Sequence, residues 1–215
     1  MEGHDYFVKV DPDFITDSFN LYGLKQQFQK YDQALDMILS PETPETEELQ
    51  NTDFISIYQI AMDLYGLIHS RFILTTKGLQ MMKDKFSKSV FGVCPRVQCD
   101  RQPVLPIALS EELSIARVKS YCPKCKDIYV PRMRYIDIDG AYFGCSFPHI
   151  FLQAFPDFIP KGKPKLYIPK IYGFTVFGKK GSKYRGKYIN ENNVITNIEE
   201  KDEAKKNDEN KMKID

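Results

Sequence analysis

Two cysteine pairs constrain this chain more than any other feature: Cys94-Pro-Arg-Val-Gln-Cys99, then Cys122-Pro-Lys-Cys125. Each short spacing lets a tight turn aim both sulfurs at one point, so the two loops together can close a tetrahedral site around a single zinc ion. Iron can also take four cysteines in a tetrahedral site, but its usual pair spacing is tighter than Cys94 to Cys99. A shell filled by four thiolates has no open position, so such a metal holds a fold and does not activate water. The expectation is a binding or regulatory chain, not an enzyme.

Five cysteines, four of them in metal-like pairs, fit a reducing compartment better than a disulfide framework. The start, Met1-Glu2-Gly3-His4-Asp5, has no basic region followed by an apolar one, and no apolar stretch reaches the roughly 18 to 20 residues that cross a bilayer. A cytoplasmic or nuclear protein with no membrane partner is expected. Lys and Arg number 30 against 29 Asp and Glu, so whole-chain charge favours neither nucleic acid nor an acidic membrane surface.

Length and pattern point to an α+β protein: a helical N-terminal unit packed on a four-cysteine zinc-ribbon unit, followed by a C-terminal segment dense in aromatics, to which the resemblance drawn below gives a docking role. Asp11-Pro12 reads as a helix start. Irregular apolar spacing from Phe14 to Leu39, broken by Asn20 and Gly23, predicts several short helices. Pro41 to Asp53 carries Glu42, Glu45, Glu47, Glu48 and Asp53 with two prolines and no basic residue, an exposed acidic loop. Phe54, Ile57, Tyr58, Ala61, Leu64, Tyr65 and Ile68 share one helical face, and Thr75 or Thr76 caps a second helix bearing Leu79, Met82 and Phe86. Val104 to Leu109, Arg117 to Tyr121 and Ile128 to Val130 are strand-like around the cysteine pairs. Pro148 can open a helix that buries Ile150, Phe151 and Phe155. The expected organisation is 1–90 helical, 91–160 zinc ribbon, 161–178 a separate segment that the resemblance below makes a docking segment, and 179–215 a basic, then mixed-charge, disordered tail.

Leu21-Tyr-Gly-Leu24, Ala34-Leu-Asp-Met-Ile38, Leu64-Tyr-Gly-Leu-Ile-His69, Phe91-Gly-Val-Cys-Pro-Arg-Val97, Tyr121-Cys-Pro-Lys-Cys125, Asp139-Gly-Ala-Tyr-Phe-Gly144, Phe147-Pro-His149 and Ile171-Tyr-Gly-Phe174 recur in one order and spacing. In these strings the chain resembles the regulatory beta subunit of casein kinase II. The resemblance implies a noncatalytic subunit that dimerises through its zinc ribbon, binds and stabilises two catalytic subunits in a heterotetramer and modulates the choice of protein substrates. The sequence has no glycine-rich phosphate loop followed by a strand lysine, no His-Arg-Asp string and no Asp-Phe-Gly, which agrees. Well-known members carry an arginine where this chain has Asp32 and an aromatic where it has Gln98.

The resemblance also implies roles for particular residues. Cys94, Cys99, Cys122 and Cys125 match the metal ligands. Pro95 and Ile128 match dimer positions, and Tyr172 and Phe174 match the aromatic pair that docks on the catalytic subunit. Tyr172, Phe174 and Val176 occupy alternate positions and so share one face of an extended segment, as interface anchors or as a strand closing the chain's own core. The acidic residues Glu42, Glu45, Glu47, Glu48 and Asp53 match a regulatory loop that binds polyamines or a basic surface, the alternative being a solvated loop. Arg96, Lys119, Lys124 and Lys126 lie close enough in sequence to lower the thiol pKa values. Cys145, His69 and His149 are read as packing or hydrogen-bonding residues, since four thiolates already complete the shell. Lys161 to Lys187 holds nine basic residues and no acid. Its alternative roles are a solvated segment and, in a zinc-ribbon nucleic-acid-binding protein, a phosphate-contacting stretch.

Overall fold

The computed structural model describes residues 4–40, 51–132, 135–162, 164, 170–175, 187–189 and 195–197. Two units divide the chain at Lys165 and Leu166. In the first, α1 spans Pro12–Thr16, with Asp11 at its N-cap and proline in its opening turn. The Asp11 carboxylate makes no capping bond; it meets Lys77 Nζ at 2.6 Å instead. After a run of turns come a 3-10 turn, Lys25–Gln27, and α2, Tyr31–Leu39. Asp32 pairs with Lys25 at 2.9 Å on the surface.

The strongest periodic segment becomes α3, Thr52–Phe72, capped by the Asn51 side chain, which accepts from the Asp53 N–H. That corrects one reading: Asp53 belongs to the first turn of α3, not to the acidic loop. The helix dipole favours an acid there. Glu42, Glu45, Glu47 and Glu48 lie outside the described residues. Then α4, Thr76–Ser87, starts at Thr75, whose hydroxyl accepts from the Gly78 N–H.

Three short strands follow: β1 Leu105–Ile107, β2 Lys119–Tyr121 and β3 Ile128–Tyr129. They form one antiparallel sheet in that order, with Leu105 opposite Tyr121 and Ser120 opposite Tyr129. The strands are shorter than the strand-like runs because isolated bridges, Val93 to Pro103 and Arg117 to Asp139, take over at their ends. Helix α5, Phe147–Ala154, places Pro148 in its first turn; Phe151 is fully buried, while Ile150 and Phe155 are half-buried.

Helices and sheet share a single core, in which Leu64, Ile68 and Phe72 of α3, Met82 and Phe86 of α4, Leu105 of β1 and Phe151 of α5 are all buried. The Asp139-Gly-Ala-Tyr-Phe-Gly144 string is the junction. Asp139 caps a 3-10 turn, Gly140–Tyr142, through the Ala141 N–H at 2.9 Å. Gly140 sits so close to the chain at Ala108 and Ala116 that a Cβ there would lie 2.9 Å from the Ala116 carbonyl oxygen. Tyr142 reaches α3, where its hydroxyl donates to Asp63 at 2.8 Å and its ring occupies the space a side chain at Gly66 would need. Tyr6, Val8 and Val10 are buried in alternation with exposed Lys9, a period-two signal at the N-terminus that the sequence reading passed over.

His69 lies in the same junction, fully buried. Its Nδ1 is 2.8 Å from the Tyr142 carbonyl and its Nε2 is 3.1 Å from the Val8 N–H. A carbonyl can only accept and an N–H can only donate, so the ring is neutral with its proton on Nδ1. A second proton on Nε2 would face the Val8 N–H. Burial pushes the His69 pKa down to about 4, against the opposing pull of the Tyr142 carbonyl. An unfolded histidine binds its proton near 6.5, so stability is complete above that pH and falls as pH drops from about 6.5 to about 4, by on the order of 3 kcal/mol in all. Melting curves between pH 7.5 and 4.5 should show this slope, and His69→Gln should be less stable at pH 7.5 but flatter. Parallel slopes for the two proteins would show that His69 is not the titrating group.

In the second unit, β4 Lys170–Ile171 and β5 Phe174–Thr175 form a hairpin, and β6 Lys187–Ile189 pairs antiparallel with β7 Ile195–Asn197. Most of the predicted tail, and most of the basic stretch, lies outside the described residues.

Candidate metal centre

The first cysteine loop is built by the chain folding back on itself. Cys94 N–H donates to the Gln102 carbonyl at 2.8 Å, and Gln102 N–H donates to the Cys99 carbonyl at 3.1 Å. Between them Asp100 and Arg101 both take left-handed backbone, φ 53° and 56°. The second loop connects β2 to β3. Cys122 N–H donates to Asp127, Lys126 N–H donates to Cys122 at 2.8 Å, and Lys126 is left-handed at φ 59°. Two side chains tie the loops to each other. Lys124 Nζ reaches Asp100 at 2.7 Å and the Cys99 carbonyl at 3.4 Å, and Arg96 lies 3.7 Å from Asp127.

The four sulfurs of Cys94, Cys99, Cys122 and Cys125 lie within 4.8 Å of one another. Cys94 and Cys125 Sγ are 3.8 Å apart, and none of the four is in a disulfide. A tetrahedron with zinc–sulfur bonds of about 2.3 Å has sulfurs about 3.8 Å apart, so this donor set fits a zinc ion. Cys94, Cys99 and Cys122 are buried and Cys125 is half-buried. Cys145 stands outside the cluster, half-buried after Gly144, whose φ of 74° makes the turn.

Cys99 and Cys122 are not lowered by neighbouring cations, contrary to the expectation for Arg96, Lys119, Lys124 and Lys126. Burial pushes Cys99 up to about 11 and raises Cys122 further. Arg96 and Lys124 are engaged by acids, which explains why they contribute so little. Cys125 is lowered: burial works against it, but hydrogen bonds from the Tyr129 hydroxyl and the Asp127 N–H outweigh that. Tyr129 is a site residue that the sequence reading missed; its position four residues after Cys125, on the strand that the loop feeds, was the available signal.

Pro95 and Ile128 are both exposed beside this cluster, as are Val97 at 84% and Val130 at 60%. His149 is exposed too and packs on the Tyr121 ring at 5.6 Å, so of the two histidines only His69 is a buried hydrogen-bonding residue. In the second unit Tyr172 and Gly173 are the turn of the β4–β5 hairpin, with φ 49° and 86°. This departs from the alternating extended segment: Tyr172 is at the tip and 97% exposed, in a turn and not in a strand. With left-handed backbone at both positions this is the two-residue hairpin turn that interrupts strand alternation. Val176 lies outside the described residues.

The model of the casein kinase II regulatory subunit family matches residues 1–175 of this chain. The chain belongs to that family. Casein kinase II subunit beta of Dictyostelium discoideum is 48% identical over 179 residues, covering 82% of this chain and 65% of the relative. Casein kinase II subunit beta' of Saccharomyces cerevisiae is 43% identical over 205 residues, 94% of this chain and 78% of the relative. The corresponding Schizosaccharomyces pombe subunit is 47% identical over 179 residues, with 82% and 75% covered. This chain therefore spans just under two thirds of the Dictyostelium protein. Casein kinase II beta subunits form a regulatory, noncatalytic family, in keeping with a site that offers four sulfurs and no open coordination position. None of the described helices is long and apolar enough to cross a membrane.

Proposed function

We propose that this chain is the noncatalytic subunit of a casein kinase II-type Ser/Thr kinase: it holds one structural zinc, pairs with a second copy beside that zinc, and carries two catalytic subunits whose choice of protein substrates it modulates. The observation that carries this reading is the closed four-sulfur cluster flanked by exposed apolar side chains. Cys94 and Cys99 would hold the ion from one loop, Cys122 and Cys125 from the other, in a zinc-ribbon arrangement on β1 to β3. Bound zinc supplies a rigid crosslink between the loops and no reactive position. Pro95, Val97, Ile128 and Val130 beside it then form a preorganised apolar patch, the kind of surface that a second copy covers.

The β4–β5 hairpin, with Tyr172 at its tip, is the proposed dock for the catalytic subunit, and Phe174 and Val176 are its further anchors. Glu42, Glu45, Glu47 and Glu48, with Asp53 at the head of α3, are the proposed acidic element for polyamines or a basic partner surface. Cytoplasm and nucleus, both reducing, are the compartments in which four thiolates stay available to zinc.

Light scattering of the zinc-loaded protein at micromolar concentration should give about twice the mass of one chain, and co-purification from native lysate should bring down a protein kinase. A monomer would overturn the pairing. Recovery of nucleic acid in place of a kinase, lost steeply as salt rises, would overturn the assignment as a whole.

A further inference from the structure

Cys125 is the one half-buried sulfur of the four, and the Tyr129 hydroxyl, which also reaches Cys94, caps it. Its Sγ is 3.3 Å from the Tyr129 hydroxyl and it also receives the Asp127 N–H, whereas buried Cys122 is approached by backbone N–H groups of Lys124 and Cys125. A cysteine bound to a metal is a thiolate and has no proton to give, so in that state the phenol must be the donor. Strand β3 arranges this. Tyr129 pairs with buried Ser120 and stays half-buried toward the cluster, while Ile128 and Val130 on either side of it are exposed.

The half-buried sulfur is the corner of the site that solvent meets first. A hydroxyl donating to that sulfur would hold it in place against the ion. Outer partners of this sort set metal affinity in other sites by about 10- to 100-fold.

We propose that Tyr129 is a positioning residue for the metal, its hydroxyl donating to the Cys125 thiolate and slowing loss of the ion through the exposed corner of the site. This rests on the zinc reading above. The test compares full-length, zinc-loaded wild type with Tyr129→Phe, which removes the oxygen and keeps the ring. Tyr121→Phe serves as a control on the neighbouring strand.

In excess pyridylazo-resorcinol, zinc should leave Tyr129→Phe about tenfold faster than wild type, with both proteins starting at one zinc per chain. In the cobalt-substituted proteins the sulfur-to-metal charge-transfer band should move to lower energy in Tyr129→Phe alone, because a thiolate that loses a hydrogen bond holds its electrons less tightly. Equal release rates with an unshifted band overturn the proposal. If Tyr129→Phe loses zinc together with its helical circular-dichroism signal, Tyr129 is a core residue and the positioning role also falls. Wild type without zinc would instead overturn the zinc reading, a result distinct from both.

Discussion

Stripping the metal from this protein is expected to unfold the whole first unit and not merely to loosen two loops. Cys94, Cys99 and Cys122 are members of the same buried core as Tyr6, Phe72, Phe91 and Leu105, so the cluster has no boundary along which it could melt separately. Structural zinc contributes an apparent free energy of roughly 10 to 16 kcal/mol at neutral pH, while a typical domain is stable by about 5 to 15 kcal/mol. Removing the first term leaves little of the second. Four thiols held within 4.8 Å of one another in a buried pocket also lose the ion that makes their approach favourable. Elemental analysis should find one zinc per chain, and Cys122→Ser should lose both the zinc and the cooperative melting transition. Absence of zinc in the purified protein, or a Cys122→Ser variant with unchanged zinc content and unchanged assembly, would remove the central claim.

The second large effect is expected at the β4–β5 hairpin. Aromatic anchors of an interface typically cost about 2 kcal/mol or more each when truncated, so changing Tyr172 and Phe174 together to alanine should weaken binding of the catalytic subunit by several kcal/mol, about a thousandfold. The fold should survive, because a tyrosine that is 97% exposed contributes almost no burial to its own chain. A core aromatic behaves differently, since Phe→Ala there costs about 3 to 5 kcal/mol of stability. Calorimetric titration against the catalytic subunit, with melting curves in parallel, separates these cases. Unchanged affinity with an intact fold would mean that the hairpin is not the docking element. Lost binding accompanied by a fall in melting temperature would return the pair to the core.

The four-cysteine cluster was legible in the sequence because pair spacing is a local property. Two residues between Cys122 and Cys125, or four between Cys94 and Cys99, already dictate a turn with both sulfurs on its inner side. The helices α3 and α4 were legible for the same reason: the apolar period of α3 and the Thr75 cap of α4 act within one or two turns of chain. What the sequence could not decide depends on residues far apart along the chain. Tyr142 meets α3 at Asp63 and Gly66, and His69 bridges Val8 and Tyr142 across separations of 61 and 73 residues. Neither contact leaves a mark in any local pattern.

Electrostatics were the least legible of all. Counting lysines near the cysteines predicted lowered thiol pKa values, but only the folded chain shows that Lys124 faces Asp100 and that Tyr129, not a cation, reaches Cys125. The alternation of Tyr172 and Phe174 failed for a related reason. Whether a short segment runs straight or turns back is settled by backbone φ at two residues, and Tyr172-Gly173 takes the turn. Spacing and periodicity thus determined the main helices and the four-cysteine cluster, because these follow from forces within a few residues. The tertiary structure alone decided the neighbours of each sulfur, the charge state of His69 and the exposure of Tyr172, because burial and hydrogen bonding depend on what the rest of the chain brings alongside.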